Sequence, residues 1–142
     1  MQQRRRLFAI DYGTRRIGLA MTDPLRLFAQ PVGTFDQAGL MRVLHEHDSR
    51  KEIDRLIVGY PVSSDGTANA MTEVVDRFVV TLQQAFPHLA VELQDERCSS
   101  RAARQILVNA ARSRKERNSK GRIDSAAACV LLSDYLETER QD

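Results

Sequence analysis

The feature that most constrains the fold is an apolar run, residues 7–10, that ends in the carboxylate of Asp11. Four consecutive apolar residues predict a short strand that is covered on both of its faces. A carboxylate is least costly at the end of such a strand, where water or a cation reaches it. Asp11 is therefore a candidate ligand at one edge of a sheet.

A second strand follows after a short connection that contains a glycine. Residues 12–16 form this connection, and apolar side chains then alternate at Ile17, Leu19 and Met21. So short a connection predicts an antiparallel hairpin. Residues 25–34 supply a third strand, with Pro24 directly before it and Pro31 within it.

The rest of the chain alternates between helical and strand patterns. Helices are predicted over 37–50, 71–86, 102–110 and 124–136, and strands over 53–59 and 90–93. Three antiparallel strands followed by alternating strands and helices predict an α/β fold, with a mixed five-stranded sheet covered by helices on both faces. At 142 residues, we expect positions 1–142 to form a single domain.

Composition excludes several classes of protein. No apolar run approaches the roughly 20 residues that span a bilayer, so we expect a cytoplasmic protein with no membrane partner. Cys98 and Cys129 lack paired spacing, which argues against a disulfide framework or a zinc site.

The net charge is only +2, but the basic residues are unevenly distributed. They dominate positions 112–122, where Glu116 is the one acid, and residues 4–6 are three arginines. Such a segment forms either an ordinary solvated surface or a surface that binds phosphates.

Acidic residues stand at the ends of three predicted elements. Asp11 ends the first strand, Asp95 and Glu96 end the last strand, and Asp124 begins the last helix. Each has an ordinary alternative: Asp11 as a turn former, Asp95 or Glu96 as a partner of Arg97, and Asp124 as a helix cap. If they converge, hard divalent cations would neutralise them, and a pair of such ions ~4 Å apart promotes phosphodiester cleavage.

Four blocks of the sequence resemble those of a known family. They are residues 9–20, residues 57–62 followed by 65–66, and residues 95–100 and 123–128. Together they resemble the YqgF/RuvX family of Holliday-junction-resolvase-like pre-16S rRNA nucleases, in the RNase H-like superfamily. Ser99 and Ser100 stand where the family usually has threonines, a departure that removes no carboxylate.

The resemblance implies an RNase H-like fold and a nuclease that uses Mg²⁺ or Mn²⁺. By position, Asp11 and Asp124 would be catalytic metal ligands, and Glu96 or Asp95 would be the strand-end ligand. Alternation places Asp95 on the side of residues 91 and 93 but does not say which side faces the site. We favour Glu96 and retain both.

The same resemblance gives the basic segment a role. In this fold it lies near the catalytic edge, where it would bind nucleic acid through Arg114, Lys115, Arg117, Lys120 and Arg122. The favoured partner is precursor rRNA, with branched or single-stranded DNA as the alternative, and the protein would act as a monomer or a homodimer.

The predicted function is metal-dependent hydrolysis in 5′-end processing of precursor 16S rRNA during ribosome biogenesis. Two alternatives stay open: a Holliday junction resolvase-like DNA nuclease, and a non-catalytic RNA-binding assembly factor. Residues 11–14 also resemble the first phosphate loop of actin-like ATPases. Those enzymes close two domains around the nucleotide, and 142 residues supply only one.

Overall fold

The computed structural model describes residues 5–13, 15–96 and 121–141 and, within the last range, the side chains of 125–140. The elements of these residues, in chain order, are β1 (Arg6–Tyr12), β2 (Ile17–Thr22), β3 (Ala29–Phe35), α1 (Gln37–Ser49), β4 (Ile53–Tyr60), α2 (Ala70–Ala85), β5 (Ala90–Asp95) and α3 (Gly121–Gln141). The predicted helix over 102–110 lies outside the described residues.

The strands form one sheet in the order β3-β2-β1-β4-β5. The first three are antiparallel, whereas β4 is parallel to both β1 and β5. The predicted mixed sheet is therefore confirmed. Because β1, β4 and β5 are parallel, their carboxyl ends lie at one edge of the sheet, which we call the carboxyl edge.

One face of the sheet is covered by α1 and α2. Phe8 and Ile10 of β1 share a buried cluster with residues of both helices. The helical members of this cluster are Leu40, Leu44, Val75, Phe78 and Leu82. Their spacing follows the period of an amphipathic helix, so each helix buries one stripe against the sheet.

The opposite face is covered by α3, and we call it the α3 face. Leu7 and Ala9 of β1 join Ile57 of β4 in a second buried cluster, which we call the α3 cluster. The helix contributes Ala128, Leu131, Leu132 and Leu136. Strand β1 is thus buried on both faces, as its apolar run predicts, and alternation places Asp11 with Leu7 and Ala9 on the α3 face.

Two element boundaries differ from the sequence prediction. Strand β3 begins at Ala29 rather than at 25, because the Asp23 carboxylate accepts hydrogen bonds from the backbone N–H groups of Leu25, Leu27 and Phe28 at 3.0, 2.8 and 2.7 Å. These bonds hold the preceding residues in a turn. Helix α3 extends beyond its apolar stripe at both ends, to Gly121–Gln141.

Local sequence determines where α1 and α2 begin. The Asp36 side chain caps α1 by accepting from the N–H of Gly39 at 2.7 Å. Asn69 and Thr72 form a reciprocal capping box at the start of α2. In the part of the chain that the structure describes, no helix is long and apolar enough to cross a membrane.

Candidate active site

Asp11 lies at the carboxyl edge on the α3 face. It is half-buried and stands opposite Gly18 in the β1–β2 ladder. On its other side, Ile10 pairs with Val58 of β4, so Asp11 lies beside Gly59, one step further in the same register. The first predicted site residue thus has a glycine on each neighbouring strand.

Glu96 follows the last residue of β5, and its backbone N–H donates to the carbonyl of Tyr60 at 3.3 Å. Its side chain lies over Gly59. An ideal Cβ placed on Gly59 would lie only 2.5 Å from Oε1 of Glu96 and 3.2 Å from a methyl group of Leu131. Because Leu131 belongs to the α3 cluster, the Glu96 carboxylate is on the α3 face.

Asp11 and Glu96 are therefore on the same face of the sheet. Their strands are separated by β4 alone, which puts the strand axes roughly 10 Å apart. The Glu96 side chain shortens this gap, because its carboxylate reaches back over Gly59, the residue beside Asp11. A side chain at position 59 would fill this space.

Asp95 has the opposite orientation in the strand. It alternates with Val91, which packs against the cluster under α1 and α2, and it is exposed. Tyr60, its register partner in β4, packs against the same cluster and donates to Asp76 at 3.2 Å. Desolvation, followed by the bond to Asp76, raises the pKa of Tyr60 above its ordinary value.

Helix α3 runs away from the carboxyl edge. Leu131 lies against Gly59 near the end of β4, whereas Tyr135 bonds to Arg55 and Glu92, which lie earlier in β4 and β5. Further on, Arg140 donates to the carbonyl of Leu27, before β3 begins. The N-terminal turn of α3 is consequently directed toward the carboxyl edge.

Several predicted site residues are not covered by the structure. Asp124 belongs to the first turns of α3 and Arg122 directly follows its first residue, but the side chains of both lie outside the described part. Arg114, Lys115, Arg117 and Lys120 fall between residues 96 and 121, which lie outside it altogether.

Two features of the site were missed by sequence reasoning. Gly59 was assigned only to the end of a strand, although its missing side chain makes room for Glu96. Arg15 and Arg16 occupy the β1–β2 turn, are exposed and directly follow the Asp11 strand, yet the sequence reasoning gave them no part in the site. Their position next to a strand-end carboxylate was the available signal.

The described donors suit a hard cation, although they do not complete a site. No group of three or more His, Cys, Asp or Glu side chains is close enough to hold a metal within the described ranges. Asp11 and Glu96 nevertheless provide carboxylate oxygens on one face, which is the ligand chemistry that Mg²⁺ and Mn²⁺ prefer. The residues present therefore fit a divalent ion.

The sheet order, the antiparallel first three strands and the helices on both faces define an RNase H-like fold. Thermus thermophilus RuvC, solved in complex with a Holliday junction substrate, matches this fold with a TM-score of 0.52. The match covers 94% of this chain and 96% of that chain at 14% sequence identity, so the likeness concerns the fold.

Sequence comparison places the chain within this class. The RuvX family, described as Holliday junction resolvase, matches residues 5–138. The chain belongs to the RuvX family, and the resemblance found in its sequence blocks is confirmed.

Similar proteins cover nearly the whole chain. A protein of Chlorobium luteolum is 56% identical over 140 residues, covering 99% of each chain. One of Chlorobium chlorochromatii is 53% identical over 135 residues, covering 95% of this chain and 96% of the other. A third, of Salinibacter ruber, is 41% identical over 131 residues and 92% of each chain. All three carry the name "Putative pre-16S rRNA nuclease".

Proposed function

We propose that this protein is a divalent-metal-dependent nuclease that hydrolyses phosphodiester bonds in precursor 16S rRNA, at its 5′ end. The observation that carries the proposal is the placement of Asp11 and the Glu96 carboxylate on one face of the sheet, with Gly59 between them. The names of the similar proteins support the choice of RNA, and membership of the RuvX family supports nuclease chemistry.

Asp11, Glu96 and Asp124 would hold the metal. Asp124 precedes Ala128 by four residues and Leu131 by seven, which is the spacing of the stripe that packs on the sheet. This spacing, together with the direction of α3, favours Asp124 as the third ligand. When bound, Mg²⁺ or Mn²⁺ supplies water activation and stabilisation of the leaving oxygen.

The chain's own contribution is to orient these carboxylates. The Glu96 carboxylate lies against the bare backbone of Gly59, in a space that a methyl group of Leu131 also borders, and these surroundings limit the rotamers that its side chain adopts. Asp11 is held by its position in a strand that is buried on both faces. These surroundings favour a site whose ligands are positioned before the metal or the substrate binds, as an efficient site requires.

Asp95 is not a ligand in this proposal. Its exposed side chain lies on the face of Val91, whereas Glu96 is on the face of Asp11. A carboxylate on the far face would have to cross the sheet to reach the same ion.

A comparison of substrates tests the choice of RNA. The full chain would be incubated with Mg²⁺ or Mn²⁺ and, in parallel, a 5′-extended 16S rRNA precursor fragment, single-stranded DNA and a four-way DNA junction. We expect cleavage of the rRNA precursor to be the fastest. Preferential cleavage of the junction would instead support a resolvase, and binding without cleavage of any substrate would support an assembly factor.

A further inference from the structure

Negative charge accumulates at the carboxyl edge when a nucleic acid binds there. Asp11, Glu96 and the exposed Asp95 all lie at this edge, and a phosphodiester substrate adds one negative charge per nucleotide. A bound metal compensates the charge at the scissile phosphate alone. Phosphates on either side of it need cationic side chains from the protein.

The β1–β2 turn brings two arginines to this edge. Tyr12 pairs with Ile17 as the last rung of the ladder, and the N–H of Gly13 donates to the carbonyl of Arg16 at 3.1 Å. An ideal Cβ on Gly13 would lie 2.5 Å from that same carbonyl oxygen. The tight turn therefore depends on glycine, and it holds Arg15 and Arg16 just beyond Asp11.

Arg16 falls on the same face as Asp11. Ala20 of β2 belongs to the α3 cluster, so alternation assigns Gly18 to that face. The bond from the N–H of Gly13 to the carbonyl of Arg16 continues the ladder one pair beyond its last rung, which places Arg16 on the same face. Gly18 is directly opposite Asp11, which makes Arg16 the diagonal neighbour of Asp11, about 7–8 Å away along the sheet. Gly13 and Gly18 have no side chains that would block the guanidinium.

Both arginines are available for a ligand. They are exposed, and neither guanidinium makes a hydrogen bond or an ion pair within the described part of the chain. Other arginines in or near the sheet are engaged: Arg26 pairs with Asp54 at 2.9 Å, and Arg55 bonds to Tyr135 at 2.7 Å. A free guanidinium binds a phosphate with two parallel N–H donors, which a lysine does not do.

We propose that Arg16, together with Arg15 beside it in the exposed turn, forms a phosphate clamp, which holds the substrate backbone at phosphates next to the one that is cleaved. The clamp rests on the proposed nuclease function for the identity of its ligand. Its role differs from that of the metal ligands, because its two guanidinium groups are positively charged and offer no oxygen atoms to a metal. It is also separate from the basic segment at 112–122, to which it adds a second contact with the backbone.

The test measures nucleic-acid binding apart from cleavage. Fluorescence anisotropy would follow a 5′-fluorescein single-stranded RNA 20-mer in EDTA over a range of KCl concentrations, for Arg15→Ala, Arg16→Ala, Arg16→Lys and the wild type. Arg42→Ala is the matched control, since Arg42 is an exposed arginine of α1 on the opposite face. Thermal unfolding would verify that every variant folds.

We expect each of the two alanine variants to weaken binding about fivefold. Each should also lower the slope of log affinity against log salt by about 0.7, the value for one phosphate contact on a single strand. Arg16→Lys should retain the slope, because it retains the charge, while Arg42→Ala should match the wild type. A merely structural role for the turn would not change the salt slope in this way.

The clamp is overturned if Arg15→Ala and Arg16→Ala have the same salt slope as Arg42→Ala, even when the wild type cleaves RNA in Mn²⁺. In that case the nuclease proposal stands without it. If instead the wild type cleaves no substrate while the two variants lower the slope, the clamp is supported and the nuclease proposal alone fails.

Discussion

At the level of single residues, the carboxylate of Glu96 occupies the space that a side chain at position 59 would fill if Gly59 had one. The sequence predicted carboxylates at strand ends correctly, and it favoured Glu96 as the ligand while retaining Asp95. Alternation distinguishes two faces of a strand without identifying the one that carries the site. That identification needs α3, because Leu131 of this helix borders the same space over Gly59 as the Glu96 carboxylate. Leu131 and Glu96 are more than 30 positions apart along the sequence.

Gly59→Ala should separate activity from stability. The added methyl group would displace Oε1 of Glu96 and press on a methyl group of buried Leu131, 3.2 Å away, so we expect the free energy of unfolding to fall by about 1–2 kcal/mol, which leaves the protein folded. Displacing a metal ligand should lower metal-dependent cleavage by at least about tenfold. Urea unfolding and initial cleavage rates measure the two effects.

A double-mutant cycle provides the control for this substitution. A Glu96→Ala background lacks the carboxylate that the added methyl group would displace. Gly59→Ala should therefore cause no further loss of activity in that background. Equal losses with and without Glu96 would show that Gly59 acts through something other than this carboxylate.

At the level of elements, α3 is fixed to the sheet by polar contacts as well as by its apolar stripe. The Tyr135 hydroxyl donates to Glu92 at 2.6 Å and accepts from Arg55 at 2.7 Å. Arg55 also contacts Asp54, which pairs with Arg26 of the turn before β3. This chain of contacts runs across the sheet and holds α3 in the position that brings Leu131 to Gly59.

Tyr135→Phe should destabilise the protein by about 1 kcal/mol, because it removes two hydrogen bonds and leaves Glu92 and Arg55 with weaker partners. Tyr60→Phe is a matched control, since the Tyr60 hydroxyl makes one exposed bond at 3.2 Å. Urea unfolding should show the larger loss for Tyr135→Phe. Equal stability of the two variants would contradict the role of this network.

The elements themselves were largely predictable. The apolar run of β1 and the stripe of α2 follow strand and helix patterns closely, and both elements form where expected. The predicted start of β3 was wrong, because three backbone N–H groups donate to the Asp23 carboxylate and stabilise a turn that hydrophobic periodicity does not detect. The extent of α3 was underestimated, because its C-terminal turns are polar and continue past the apolar stripe.

At the level of the whole molecule, stability should fall in alkaline solution through the half-buried thiol of Cys129. Burial of Cys129 beside the α3 cluster raises the pKa of its thiol from 9.0 to about 11. The unfolded chain ionises first, so this contribution is complete below pH 9 and is lost as the pH rises through about 11.

Thermal unfolding between pH 8 and 11.5 tests this contribution. The melting temperature of the wild type should fall more steeply above pH 9 than that of Cys129→Ala, which has no thiol to ionise. The raised pKa values of Tyr60 and Tyr135 add a similar decline above pH 10 in both proteins. Parallel profiles for the two proteins would contradict the assignment to Cys129.

The central claim is that the α3 face of the carboxyl edge carries a metal-dependent phosphodiesterase centre. Its most direct test is the initial rate at which the full chain cleaves the rRNA precursor in Mn²⁺, compared with Asp11→Asn, Glu96→Gln and Asp95→Asn. The last variant is the matched control, because Asp95 is adjacent in sequence to Glu96 but lies on the opposite face.

We predict that Asp11→Asn and Glu96→Gln each lower this rate by more than about 100-fold, since even residues that only support a ligand cost up to about that much. Asp95→Asn should stay within about threefold of the wild type, as expected of an exposed residue outside the site. A Glu96→Gln variant that cleaves as fast as the wild type, or an inactive Asp95→Asn, would contradict this account of the site.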